Sequence, residues 1–174
     1  MNGLIILIGF RGTGKTTVGE LLARRCGCAF VDTDQCICQL KGASVTTIVQ
    51  REGWEGFRRC EEEVLRDLVE ATGSVVATGG GAVLHRQVWP ELKKNATIVW
   101  LTADMSILMQ RIGRDAPDNR PSLSGQGVVE EMARILEERE PLYRELADFS
   151  VDTGRLPAAE AVDYIVAKVA KIQQ

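Results

Sequence analysis

Gly9, Gly14, Lys15 and Thr16 stand at the spacing G-x-x-x-x-G-K-[ST] within the run GFRGTGKT. Glycines there let backbone N–H groups turn inward around phosphate oxygens, and a following helix presents its positive end to the same anion. The Lys15 ammonium can reach the β- and γ-phosphates of a nucleoside triphosphate, and the Thr16 hydroxyl can ligate Mg2+. The motif requires a strand before it and a helix after it. Leu4 to Ile8 is continuously apolar and β-prone, as in a parallel strand buried on both faces. Lys15 to Arg25 carries Val18, Leu21 and Leu22 at helical spacing, with Gly27 as a stop signal. Gly12, Thr13, Gly14, Lys15, Thr16 and Thr17 are therefore expected to bind ATP, with Lys15 catalytic. The plain alternative is a glycine-rich turn that binds nothing.

What receives the phosphate must be sought elsewhere. Asp32 and Asp34 follow a short second strand, Ala29 to Val31, and their spacing of two puts both on one side at its carboxyl end. Asp32 can hold the water ligands of Mg2+, and Asp34 can orient an acceptor hydroxyl or take its proton. Capping of the next helix explains Asp34 equally well.

Charges also fall where periodicity calls for apolar residues. Trp54, Phe57, Val64, Leu65 and Leu68 form one helical stripe, and Arg58 and Glu61 lie on it. An arginine on a buried face must meet an anion. Either Arg58 and Glu61 only brace each other, or Glu61 orients Arg58 so that its planar fork grips a substrate carboxylate. Arg139 repeats the pattern on the stripe of Met132, Ile135, Leu136, Leu142, Tyr143 and Leu146. Two inward arginines point to an anionic acceptor. Gly79, Gly80 and Gly81 end the third strand, where a plain turn needs one glycine or two. Three favour a platform for a ligand.

These residues need a frame. Strands at Leu4–Ile8, Ala29–Val31, Ser74–Thr78, Thr97–Leu101 and Phe149–Asp152 alternate with helices at Gln35–Leu40, Val45–Arg51, Trp54–Ala71, Gln87–Lys94, Met105–Arg111, Val128–Leu146 and Ala158–Ile172. The alternation predicts one α/β domain over residues 1–174, a three-layer α/β/α phosphate-loop kinase fold on a five-stranded parallel sheet, with ligands at the strands' carboxyl ends. Residues 112–127 are polar and rich in glycine and proline, and are expected to form a mobile lid. An arginine arriving with it, Arg120, would neutralise charge on the transferring phosphoryl group. A solvated loop arginine is the alternative there, and the same ambiguity covers Arg111 and Arg114. His85 is expected at an exposed helix start.

The 174 residues suit one domain, and a net charge of −3 without a basic tract argues against a nucleic-acid partner. No apolar run is long enough to span a bilayer. The five cysteines, an odd number without an export signal, suggest reduced thiols in the cytoplasm and no structural zinc pattern. A regulatory GTPase is excluded by the lack of an N-K-x-D segment. A remodelling ATPase would need a longer chain and a strand ending in adjacent acids. A small-molecule kinase leads.

With GFRGTGKTT (9–17), VDTD (31–34), GFRRCE (56–61), TGGGAV (78–83), NRPSL (119–123), EREPLY (138–143) and VDTGR (151–155) in this order, the chain resembles the shikimate kinase family over nearly its whole length. The resemblance implies transfer of the ATP γ-phosphate to the 3-hydroxyl of shikimate, a step in chorismate and aromatic amino-acid synthesis. It assigns Asp34, Arg58, Gly79, Gly80, Gly81 and Arg139 to shikimate, with both arginines on its carboxylate. Lys15 and Arg120 would stabilise the phosphoryl group, with Asp34 the third catalytic residue, and Thr16 and Asp32 would serve Mg2+. Arg111 and Arg155 would join Arg120 at ATP by flanking the adenine. The expected partners are shikimate and ATP, acting on a cytoplasmic monomer.

Overall fold

The computed structural model describes residues 3–114 and 128–172. β1 (Leu4–Ile8) is buried at every position, the pattern of a central parallel strand covered on both faces. It pairs in parallel with β3 (Ser74–Ala77) and with β4 (Ala96–Thr102). β2 (Ala29–Asp32) extends the sheet beyond β3, and β5 (Phe149–Asp152) extends it beyond β4, giving the order β2-β3-β1-β4-β5.

Alternation along the strands divides the core in two. Ile5 and Leu7 of β1 face Val18 and Leu22 of α1 (Lys15–Cys26) and Ile165 and Val169 of α7 (Ala158–Ile172). Leu4, Ile6 and Ile8 face the opposite layer. That layer holds Leu65 of α3 (Val45–Asp67), Trp89 and Leu92 of α4 (Trp89–Asn95), and Tyr143 of α6 (Val128–Leu146). The expected three-layer α/β/α arrangement on five parallel strands is therefore present. Two smaller clusters flank the site. One joins Ile37 of α2 (Thr33–Lys41) to Phe57 and Val64, and the other joins Phe10 to Leu108 of α5 (Met105–Arg114) and Met132.

Several boundaries differ from expectation for local reasons. The two helices expected over 45–51 and 54–71 abut as one element with a break at Gly53, whose φ of 69° is not helical, and the second ends at Asp67 before a 3-10 turn. α5 continues to Arg114 rather than stopping at Arg111, so the first residues assigned to the lid are helical. The remainder of the expected lid, including Arg120, lies outside the described residues. Asp34 is placed by the sequence after a strand, with capping of the next helix as the alternative to a role at the acceptor hydroxyl. Instead α2 begins at Thr33 and Asp32 is the cap, accepting from the backbone N–H groups of Asp34 and Gln35 at 3.0 and 3.2 Å.

His85 is the largest departure. It is not an exposed helix start: it closes the 3-10 turn Ala82–Leu84 with its side chain only 9% exposed.

Candidate active site

The loop after β1 and the residues after β2, β3 and β5 converge at the sheet's carboxyl edge, where an open parallel sheet gathers its ligands. Two cavities lie there.

The larger, about 860 Å³, is lined by Gly12, Thr13, Gly14, Lys15, Thr16 and Thr17 together with Asp32, Arg111 and Arg155. Lys15 is nearly buried, and its Nζ donates to the carbonyls of Gly9 and Phe10, both at 2.8 Å. The ammonium thus draws its own loop together around the place where phosphate oxygens belong. Thr16 Oγ1 donates to Asp32 Oδ2 at 2.9 Å. These two hard oxygens, side by side on the cavity wall, fit Mg2+, which favours oxygen ligands and keeps much of its water. Arg111 donates to the carbonyls of Gly12 and Thr153 at 3.1 and 2.6 Å, and to Thr153 Oγ1 at 3.1 Å. Buried Thr153 in turn donates to Thr13 O at 2.9 Å. The phosphate loop is therefore fastened to the turn after β5. Arg155 is on the same cavity but largely exposed, paired with Asp152 at 3.2 Å.

The second cavity is narrower and is lined by Asp34, Arg58, Glu61, Gly79, Gly80, Gly81 and Arg139, with Phe10, Trp54 and Phe57 supplying apolar wall. Both charged stripe positions point into it. Arg58 Nη1 donates to Glu61 Oε2 at 2.5 Å, and its guanidinium lies 5.4 and 5.8 Å from the ring centres of Trp54 and Phe57. Arg139 Nη1 and the Tyr143 hydroxyl both donate to Gly80 O, at 3.1 and 2.6 Å. Burial pulls the Arg139 guanidinium below its ordinary value and pushes the Tyr143 phenol up to about 12.

The triple glycine has a more specific cause than expected. A Cβ on Gly79 would collide with Glu61 Oε1 and come within 2.7 Å of Asp34 Oδ1, and one on Gly81 would enter the Arg58 guanidinium. Two of the three glycines thus make room first for the protein's own charged groups. Arg11, Asp34 and Gly80 line both cavities and form their common wall. The Arg11 Nε is buried there without a hydrogen-bond partner among the described residues.

Three participants escape a sequence reading. Arg11 occupies a position the loop motif leaves unspecified. Thr33, fully buried, accepts from the Gly79 N–H at 3.0 Å. His85 donates to Glu61 Oε2 at 2.9 Å. None lies on a periodic stripe; Arg11, inside GFRGTGKTT, and Thr33, inside VDTD, sit in recognisable blocks, and His85 sits in none.

The family model described as shikimate kinase matches residues 11–170. Over 167 residues the chain is 42% identical to shikimate kinase 2 of Yersinia enterocolitica, covering 95% of each. The structure of shikimate kinase from Acinetobacter baumannii in complex with shikimate superposes with a TM-score of 0.90 at 35% identity, over 97% of this chain and 93% of that one. A gluconokinase from Sinorhizobium meliloti reaches 0.58 at 23% identity, over 98% of this chain and 93% of that one, a likeness of fold alone.

Proposed function

The chain belongs to the shikimate kinase family, and from that premise we propose how its residues divide the transfer of the ATP γ-phosphoryl group to the 3-hydroxyl of shikimate. The observation that carries the division is the common wall of Arg11, Asp34 and Gly80 between a nucleotide-sized cavity and a narrower one with two guanidinium groups.

ATP takes the larger cavity, its phosphates against the N–H groups of residues 12–17 and the start of α1. Lys15 turns from the loop carbonyls to the phosphoryl oxygens, and Arg111 and Arg155 flank the base. When bound, Mg2+ neutralises phosphate charge, and Thr16 and Asp32 are the residues to hold it, Asp32 through water. Shikimate takes the second cavity with its carboxylate on Arg58 and Arg139 and its ring over Gly79 to Gly81. Asp34 accepts from the 3-hydroxyl and aims its oxygen along the transfer axis. Because the transition state is loose, this positioning carries more of the rate than early proton removal. Arg120 completes the charge around the phosphoryl group.

The working unit in this reading is a single-domain monomer. The five cysteines are free thiols, which supports a reducing, cytoplasmic setting. No helix among the described residues is long and apolar enough to cross a membrane. The deciding experiment offers shikimate, gluconate and AMP separately in an ADP-release assay. ADP is expected only with shikimate; turnover on gluconate or AMP without turnover on shikimate overturns the reading.

A further inference from the structure

Glu61 is fully buried, and Arg58 and His85 both donate to its Oε2, while its Oε1 has no hydrogen-bond partner among the described residues. A carboxylate only accepts, so the imidazole carries a proton on Nε2. On the other side of the ring, Nδ1 lies 3.8 Å from Glu62 Oε2, too far for a hydrogen bond. Burial pushes the Glu61 carboxyl up, and the His85 hydrogen bond with the Arg58 charge more than reverses this, leaving it below the ordinary carboxylate range.

Arg58 and Glu61 sit on the same helix, one turn apart. Their ion pair alone leaves the carboxylate free to pivot with the guanidinium. His85 supplies a second anchor from a different part of the fold, four residues beyond the Gly81 whose bare Cα admits the guanidinium. One short segment therefore controls both where Arg58 can lie and what it is tied to. We propose that His85 is a positioning residue for the acceptor: acting through Glu61, it sets the direction in which Arg58 presents its remaining N–H groups to the substrate carboxylate. This rests on the reading that Arg58 holds that carboxylate.

An amide in His85→Gln can stand where Nε2–H stands, whereas in His85→Asn it falls at the Nδ1 position, out of reach of Glu61. His85→Asn is expected to raise the KM for shikimate about tenfold, the loss of one hydrogen bond to a charged group. The KM for ATP and kcat should change by less than about twofold, because the effect lies in acceptor binding. His85→Gln should recover most of the loss. An unchanged KM in His85→Asn overturns the proposal, as does an equal rise in both variants. Arg58→Ala run beside them keeps the two readings apart. If it leaves the shikimate KM unchanged, the carboxylate reading itself fails; if it raises that KM while His85→Asn does not, only the role of His85 fails.

The wild type offers a test that needs no variant, because the chain has a single histidine. Nitrogen NMR should find its Nε2–H protected from exchange and shifted on adding shikimate. A freely exchanging imidazole, indifferent to shikimate, overturns the proposal.

Discussion

The guanidinium of Arg58 occupies the volume that a Cβ on Gly81 would need. A methyl group there must push the guanidinium aside, since its neighbours Glu61, Trp54 and Phe57 hold it from the other sides. Overpacking of this kind costs about 1–3 kcal/mol. Gly81→Ala is expected to raise the shikimate KM about tenfold or more, as misplacement of a gripping group does, while ATP affinity stays near wild type. Initial rates and nucleotide titration read the two effects separately.

Beyond the phosphate contact proposed for it, Lys15 has a structural part. Its two bonds to Gly9 O and Phe10 O tie the loop to itself, and bonds from a charged donor contribute about 1.5–3 kcal/mol each. Lys15→Met should therefore lose about 3 kcal/mol or more of stability in urea melts and at least about a hundredfold in kcat. A variant that is inactive but as stable as wild type contradicts the loop-tying role.

Asp32 has two separable tasks, capping α2 and pairing with Thr16. A serine caps nearly as well as aspartate but brings no charge to a metal. Asp32→Ser should keep its melting temperature and need more Mg2+ for half-maximal rate. Asp32→Ala should show the same Mg2+ effect and also lose about 1 kcal/mol of stability.

Two buried groups tie stability to pH in opposite directions. The folded-state value for Glu61 lies below its ordinary 4.5, so its contribution is present above pH 4.5 and is lost as pH falls through the folded value. The Tyr143 phenol, pushed up to about 12, favours the folded state while neutral. That contribution is whole below the unfolded value near 10 and disappears as pH rises to about 12. Thermal melts from pH 7 downward should show an acid loss that Glu61→Gln lacks. Melts above pH 9 should show an alkaline loss that Tyr143→Phe lacks.

The phosphate loop is legible in the sequence because its atoms are contiguous: one loop, one preceding strand, one following helix. The proposed acceptor half is legible where charge violates a periodic stripe, as at Arg58, Glu61 and Arg139. Contacts made across the fold leave no such mark. Thr153 and Thr13 are joined by a hydrogen bond over 140 positions, and His85 reaches Glu61 across 24. That Asp32 and not Asp34 caps α2 has a similar origin. Either aspartate can cap, and the choice depends on where β2 releases the chain into α2, a boundary that Thr33 fixes by burying itself against Gly79.

The partition of Arg11, Asp34 and Gly80 is one residue thick. A compound joining a nucleotide mimic to a carboxylate-bearing ring by a tether of one phosphate's length could occupy both chambers at once. Its second half would bind at the effective concentration set by that tether, in the millimolar range or above for a short link. Selectivity among phosphate-loop kinases would come from the ring end, because only that end meets Arg58 and Arg139.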